Sequence, residues 1–534
     1  MNLMNLCCDA DKLEKLINET PDGEVCRLSD SRYYLTRRVV IKNKSNMIIE
    51  GNGAKIITKY VNSDDYSASA DAFLLFGCKS VTLRNMVFDT DVPPNVTGTV
   101  EAIDRENEHM TFVIDPKFEI HGDEVLMAIN SVDEEGTFDY HIQHYAFHPD
   151  PDIVTMIQGE ILLANTYTSA PKDYLGNNRF KVYLPLRDNY QKLTVGSRLC
   201  IRHTMYGPST ITIKESDDTV LEDITMYAAA GMAVMVLPRC NNLVIDGLKM
   251  LRREDGSVFM AGNCDGVHIT GLSGKFTMRN CVFDGLGDDA LNIHSTAGTI
   301  TAVYPEENRI KCNYCKKTED GKLSAKWCQK GDTVKVFTLP SMKVAATLKV
   351  QSFEDGFLSY ELIDGEVEVG CELQNMAFAP SCEIDNCIVK NTRARAFIIQ
   401  TPNVEIKNCT LFGMSFNAIK VAPAFEYWHE VGPVDNLYIH DNKIEKCNWA
   451  NTSVPAIGVY TSHRGNDESV TGLHRNIRIE NNVFTRAEGL CINVSSSDGV
   501  TVKGNRFVDR QKREIAPVEM VSCTMVSVSD NQDI

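Results

Sequence analysis

A short motif that returns every 22 to 26 residues restricts this chain more than any other feature. Leu221-Glu222-Asp223-Ile224 is followed 24 residues later by Ile245-Asp246-Gly247-Leu248. Ile384-Asp385-Asn386-Cys387 is followed 22 residues later by Ile406-Lys407-Asn408-Cys409. Ile479-Glu480-Asn481-Asn482-Val483 and Val502-Lys503-Gly504-Asn505-Arg506 stand 23 apart, with Asn482 matched to Asn505. Further copies lie at Ile49-Glu50-Gly51-Asn52, Leu83-Arg84-Asn85-Met86 and Met278-Arg279-Asn280-Cys281, and Met525 to Asn531 reads as a shortened last one. Each copy is a strand rich in Val, Ile and Thr, a corner of Asn or Gly, and another strand. That unit and period describe one coil of a parallel β-helix. Asn suits the corner because it tolerates the left-handed conformation and can hydrogen-bond to the Asn one coil away. Leucine-rich repeats share the period, but their fixed Leu lattice and helical return segment are absent.

Cys281, Cys387 and Cys409 each follow a corner Asn, where the chain turns inward. A small apolar side chain at that place reads as an internal ladder of thiols, not as metal or redox chemistry. Cys312 and Cys315 form one CxxC with Cys328 beyond, too little for a zinc site without a second pair. No metal and no cofactor are expected.

Two stretches break the rhythm, residues 96–203 and 298–378. Their openings are alike (Gly98-Thr99-Val100-Glu101-Ala102 and Gly298-Thr299-Ile300-Thr301-Ala302), and so are their ends (Val195-Gly196-Ser197-Arg198-Leu199 and Lys330-Gly331-Asp332-Thr333-Val334). Both alternate apolar and polar residues with period two and read as small antiparallel β-barrels set into loops. Asp9 to Glu19 reads as a short helix with Leu13, Leu16 and Ile17 on one face and Asp9 as cap. The expectation is an all-β chain: a right-handed parallel β-helix (solenoid) with two inserted barrels and a short N-terminal helix. Residues 1–95 are the cap and first coils, 96–203 barrel one, 204–297 the central coils, 298–378 barrel two and 379–534 the last coils.

Charge narrows the partners. The formal net charge is −18, which disfavours nucleic acid and, without a local basic groove, polyanionic polysaccharides. A neutral sugar meets no such repulsion. Met1 to Ala10 has no basic n-region and no apolar h-region, and no apolar run approaches the ~20 residues of a membrane span. The chain as written is expected in the cytoplasm, or outside the cell if a leader has been removed; oligomeric state is not legible.

The densest acidic motif lies between the two inserts. Asp265-Gly266-Val267-His268 is followed by Gly285-Leu286-Gly287-Asp288-Asp289-Ala290-Leu291-Asn292-Ile293-His294. Asp265 and Asp288 are 23 residues apart, one coil, and stacked coils lie ~4.8 Å apart. Neighbouring strand residues face opposite ways, so Gly285 and Gly287 are expected to form a bend that presents Asp288 and Asp289 together. An isolated Gly-Asp-Asp is ordinarily a turn, but the partner one coil away favours catalysis. Crowding raises at least one carboxyl pKa and leaves a proton donor beside ionised bases, the arrangement glycoside hydrolysis uses. His294, two residues beyond Asn292, shares its outward face and is a candidate sugar contact; His268 is a weaker one. Thr392-Arg393-Ala394-Arg395-Ala396 leads into a later strand. Beyond it, Phe425-Glu426-Tyr427-Trp428-His429-Glu430-Val431-Gly432-Pro433 pairs an aromatic ring with a carboxylate, a combination suited to a sugar. The alternative for Trp428 is a plug that packs the loop on the helix.

With those motifs in place, the chain resembles glycoside hydrolase family 110, the α-1,3-galactosidases, over most of its length. Asp265-Gly266-Val267-His268, Gly287 to His294, Arg393-Ala394-Arg395 and Tyr427 to Pro433 carry the likeness. Ala396 and Val431 depart from it where Gly and Ser are usual. The Gly-Asp-Asp segment also occurs in pectin-degrading β-helix hydrolases. The resemblance implies an inverting, metal-independent enzyme removing terminal α-1,3-linked galactose, including that of the blood group B determinant. It implies Asp265, Asp288 and Asp289 as the catalytic set, with Asp288 as acid and the other two activating water. Asn292, His294, His268, Arg395, Trp428 and Glu430 would contact substrate. Two other readings stay open: a polygalacturonase-like hydrolase of acidic polymers, drawing on Arg252, Arg253, Arg393 and Arg395, and a carbohydrate-binding β-helix without catalysis.

Overall fold

The computed structural model describes residues 8–59, 71–115, 142–143, 172–183, 195–196, 198–202, 207–255, 258, 260–313, 326–425, 428–448, 454–461, 472–487 and 489–534. Cys315, Ser197, Tyr427 and Trp449 lie outside them. Parallel strands wind the chain into a solenoid whose faces are continuous sheets. One face is an 11-stranded sheet running from Val39–Lys42 through Val267–Ile269, Leu291–Ile293 and Phe397–Ile399 to Val518–Val521. On each strand alternate residues point inward, so Val267, Ile269, Leu291, Ile293, Phe397 and Ile399 are all buried in one core. The residues between them form an outward column: Met235, His268, Asn292, Ile398 and Lys420 are register partners in successive coils.

The corners explain the repeat. Asn280, Asn386, Asn408 and Asn481 have φ values of 52–56°, the left-handed region in which Asn is tolerated. The residue after each corner turns into the core, and these residues make one column. Strand register stacks Cys281, Cys387 and Cys409, then Asn442, Asn482, Asn505 and Asn531, because the residues that follow them pair in order. The ladder of thiols is there, with Cys387 in contact with both Cys281 and Cys409. It then passes into a ladder of amides. Asn442 Nδ2 donates to Asn482 Oδ1 at 2.9 Å, Asn482 Nδ2 to Asn505 Oδ1 at 3.0 Å, and Asn505 Nδ2 to Asn531 Oδ1 at 3.0 Å. Each Nδ2 also reaches a backbone carbonyl, so the buried amides are satisfied. The corner residues themselves bond less uniformly: Asn386 donates to Asn280, but Asn408 donates to Asp385.

The helix spans Ala10–Glu19 and buries Ala10, Leu13 and Ile17 against the first coils. Asp9 does not cap it; its carboxylate instead accepts from the Tyr34 backbone N–H at 2.8 Å. The competing partner is a strand of the next coil, and docking the helix end to it replaces the local cap.

Antiparallel sheets interrupt the solenoid twice. The first contains six strands between Asn95–Asp104 and Arg198–Arg202. The second is a closed ring: Ser295–Tyr304 pairs with Arg309–Asn313, then Phe357–Gly365, Val344–Glu354, Thr333–Phe337 and Glu372–Asn375, which returns to Ser295–Tyr304. Its core holds Ile300, Val334, Leu348, Leu358, Leu373 and Trp327. Both inserts are tied to the solenoid beside the acidic motif. Asn95, at the start of the first, donates to Asn263 Oδ1 at 3.0 Å. Ser295 and Thr296, at the start of the second, pair with Val431 and Glu430.

The amide ladder should be a large local contribution to stability. Asn482→Ala leaves the Asn442 backbone N–H without its acceptor in the core and removes one of the two donors to Asn505 Oδ1, a loss of about 1–3 kcal/mol. Urea unfolding of wild type and variant measures it; a difference below about 0.5 kcal/mol would show that the ladder is ornamental.

Candidate active site

Two neighbouring strands, Val267–Ile269 and Leu291–Ile293, set the site, with Phe397–Ile399 next in the sheet. Counted back from Val267, Leu291 and Phe397, their register places Asp265 beside Asp289 and Asp289 beside Arg395. The coil here is therefore 24 residues, not 23, and Asp289 rather than Asp288 is the stacked partner of Asp265. Asp288 still joins them, because the chain bends between Gly285 and Leu291. Gly285 has φ +82°, and a Cβ on Gly287 would lie 2.4 Å from the Asn263 carbonyl oxygen, so the bend needs glycine at both. The carboxylate oxygens of Asp265, Asp288 and Asp289 all come within 4.8 Å of one another.

Each carboxylate is held differently. Asp265 Oδ1 accepts from the Asp289 backbone N–H at 3.1 Å, and its Oδ2 meets His268 Nδ1 at 2.6 Å. Asp289 Oδ1 accepts from the Arg395 backbone N–H at 2.8 Å, with the Arg395 guanidinium at 3.4 Å. Asp288 lies 3.3 Å from Arg393. Side-chain exposure is 9% for Asp265, 5% for Asp289 and 20% for Asp288, so Asp288 is the member that faces outward.

Burial, with the nearby charges of Asp288 and Glu430, pushes the Asp265 carboxyl well above the usual range. Burial also pushes Asp289 up to about 8, against the opposing pull of Arg395. Burial lowers the pKa of both His268 and His294, against the opposing pull of the Glu430 charge. The Ser295 carbonyl can only accept, so His294 Nδ1 carries its proton at 3.0 Å. His294 Nε2 meets His268 Nε2 at 3.2 Å, and His268 Nδ1 in turn meets the Asp265 carboxyl, so the two rings link Asp265 to the Ser295 carbonyl.

Glu430 completes the constellation. It accepts from Asn292 Nδ2 at 3.2 Å and Gln400 Nε2 at 3.1 Å, and lies 3.6 Å from His294 Nε2. Burial alone would raise its pKa; His294, His268 and the two amide donors outweigh it and hold Glu430 below the usual range. Trp428 is 42% exposed two residues earlier, so it does not plug the loop. Of the residues singled out in the sequence, Asp265, Asp288, Asp289, His268, Asn292, His294 and Glu430 form one continuous polar patch. Arg395 is engaged with Asp289 and stacks on Phe416. Arg393, drawn on in the sequence only for the acidic-polymer reading, and Gln400, which was not singled out, belong to the same patch. Gln400 follows Ile399, the register partner of Ile293, so it lies beside His294; the second insert lies between the two in the sequence and hides that pairing.

Residues 369–532 match the family model described as right handed beta helix region, in keeping with the parallel coils. The chain is similar along most of its length to proteins named alpha-1,3-galactosidase. Alpha-1,3-galactosidase B of Bacteroides thetaiotaomicron is 24% identical, over 88% of this chain and 75% of its own. Alpha-1,3-galactosidase A of Bacteroides fragilis is 25% identical, over 87% and 74%. Among solved structures, an exopolygalacturonase of Thermotoga maritima is 10% identical and superposes with a TM-score of 0.46 over 98% of this chain and 87% of its own.

The raised carboxyls have a thermodynamic signature. Asp289 holds its proton to about pH 8 when folded, whereas an unfolded Asp releases it near ~3.9. Its contribution to stability is complete below the unfolded value and is lost as pH rises through the folded one. Asp289→Asn should therefore gain stability relative to wild type between about pH 5 and about pH 8. Urea midpoints of both proteins at the two pH values test this; a constant difference would mean that Asp289 is ionised throughout.

Proposed function

We propose that this protein is an exo-acting α-1,3-galactosidase that removes terminal galactose from a glycan, with Asp265, Asp288 and Asp289 as its acid and base. The observation that carries the reading is the three-carboxylate cluster itself, in which burial pushes the Asp265 and Asp289 carboxyls up while Asp288 faces outward. Similarity to enzymes named alpha-1,3-galactosidase supports the substrate class. The cluster acts as one coupled unit. A proton shared within it passes through Asp288, the outward member, to the glycosidic oxygen as the C1–O bond breaks. Water attacks C1, and its proton returns to a cluster member left ionised. Asn292, His294, Glu430 and Trp428 surround the sugar. Inversion rests on the resemblance and not on distance, since the oxygens within 4.8 Å lie closer than the ~6.5–9.5 Å associated with inverting pairs.

Cleavage of acidic polymers is disfavoured by the fate of the four arginines it would draw on. Arg393 and Arg395 face Asp288 and Asp289, Arg252 faces Asp284, and Arg253 faces Asp89. Each already answers a carboxylate of this chain.

Galactose release from Galα1-3Gal and from the fucosylated B trisaccharide tests the reading. Asp288→Asn should lower the rate on the order of 10²–10⁴-fold, and β-galactose should be the first anomer formed. Absence of release from both substrates, or α-galactose as first product, rejects it. Trp428→Ala should raise KM about tenfold with little change in kcat, through loss of ~1–1.5 kcal/mol of ring packing; an unchanged KM would place the ring outside the sugar site.

A further inference from the structure

We propose that His268, His294 and Glu430 form a binding site for one divalent cation of the zinc type, and that filling it inhibits the enzyme. His268 Nε2 and His294 Nε2 are 3.2 Å apart, and His294 Nε2 is 3.6 Å from Glu430 Oε1. Zinc sits 2.0–2.2 Å from nitrogen and oxygen ligands, so two ligands on one tetrahedral ion lie about 3.3 Å apart. Those two spacings fit an ion between the groups, and all three ligand atoms lie within 4.8 Å of one another. Their outer contacts fit as well. The second nitrogen of each ring is taken, His268 Nδ1 by the Asp265 carboxyl and His294 Nδ1 by the Ser295 carbonyl. That is the support histidine ligands characteristically have, because it fixes the tautomer and aims Nε2 at the metal. Asn292 and Gln400 orient Glu430 from its other side.

A second observation points to a missing ligand. Asn292 Oδ1 and Gln400 Oε1 are buried acceptors without a partner, on the two amides that donate to Glu430. Two imidazoles and one carboxylate suit zinc, cobalt or nickel and not calcium or magnesium, which prefer oxygen alone. The cluster of Asp265, Asp288 and Asp289 is the harder, all-oxygen alternative on the same face.

Inhibition follows from position. The ion takes the Nε2 lone pairs of His268 and His294 and one oxygen of Glu430, and His294 and Glu430 are among the groups that surround the sugar in the galactosidase reading. This half of the proposal rests on that reading; cation binding does not.

The test is a titration of metal-free protein with Co²⁺ and Zn²⁺, read by visible absorption and calorimetry. Wild type, His294→Gln, Glu430→Gln and Asp288→Asn are compared. Glu430→Gln is nearly isosteric, so it keeps the test meaningful if the histidine variant folds poorly. The expected result is one ion per chain and a cobalt spectrum of nitrogen and oxygen ligands without a thiolate band. Affinity should fall at least tenfold in His294→Gln and in Glu430→Gln and hold in Asp288→Asn. A thiolate band, no binding, or wild-type affinity in both ligand variants overturns the site. Galactose release should fall as Zn²⁺ fills the site and return with a chelator; unchanged or faster release at full occupancy overturns the inhibitory half. If wild type releases no galactose, the galactosidase reading fails and takes the inhibitory half with it, while the titration still judges the site.

Discussion

Backbone pairing between successive coils is the constraint on which the rest of this structure depends. In a parallel stack a side chain's neighbours are set by register, because each residue sits over its partner one coil away. Slipping that register by one residue would send inward residues outward. Leu291 over Val267 brings Asp289 over Asp265, and Phe397 over Leu291 brings Arg395 over Asp289. No long flexible element is needed to assemble the site.

The polar patch is costly ground. Charges placed out of water must be neutralised, paired or hydrogen-bonded, and all three solutions occur within a few ångströms. Burial pushes Asp265 and Asp289 towards the neutral acid, Asp288 is set against Arg393, and Glu430 is held below the usual range with the help of amide donors. The environment separates carboxylates of like chemistry into different protonation states, which is what acid–base catalysis at one site requires. The inserts matter here as struts. Pairing of Thr296 with Glu430 holds an otherwise loop-borne carboxylate, and Asn95 braces the turn that leads to Asp265.

Much of this was legible in the sequence because the fold is periodic. The repeat with its Asn corners pointed to stacked coils, and the cysteines after those corners to a buried column. The acidic motif stood out because its parts are one coil apart and uninterrupted. Legibility failed where local spacing and true register differ. The bend at Gly285 to Leu291 shifts Asp288 off the strand, so the 23-residue spacing named Asp288 as the partner of Asp265, a place register gives to Asp289. Gln400 was missed for a different reason: the closed ring intervenes between it and the coil it stacks on. Asp9 looked like a cap because capping is a local rule, and the strand at Tyr34 is not local. Protonation states were beyond reach, since they depend on burial and on contacts such as His294 with Ser295.

The change from thiols to amides along the inward column divides the solenoid into two kinds of territory. From Asn442 to Asn531 every rung is the same, with the Oδ1 of one coil receiving both the backbone N–H and the side-chain N–H of the coil before it. Such a segment is a modular tail, in which a coil added or removed leaves an identical join behind. The coils between Asp265 and Glu430 carry individual pairings and the carboxylate and histidine clusters, and a whole-coil edit there would separate residues that meet only once. Length can therefore vary at one end of this molecule while the chemistry stays fixed in the middle.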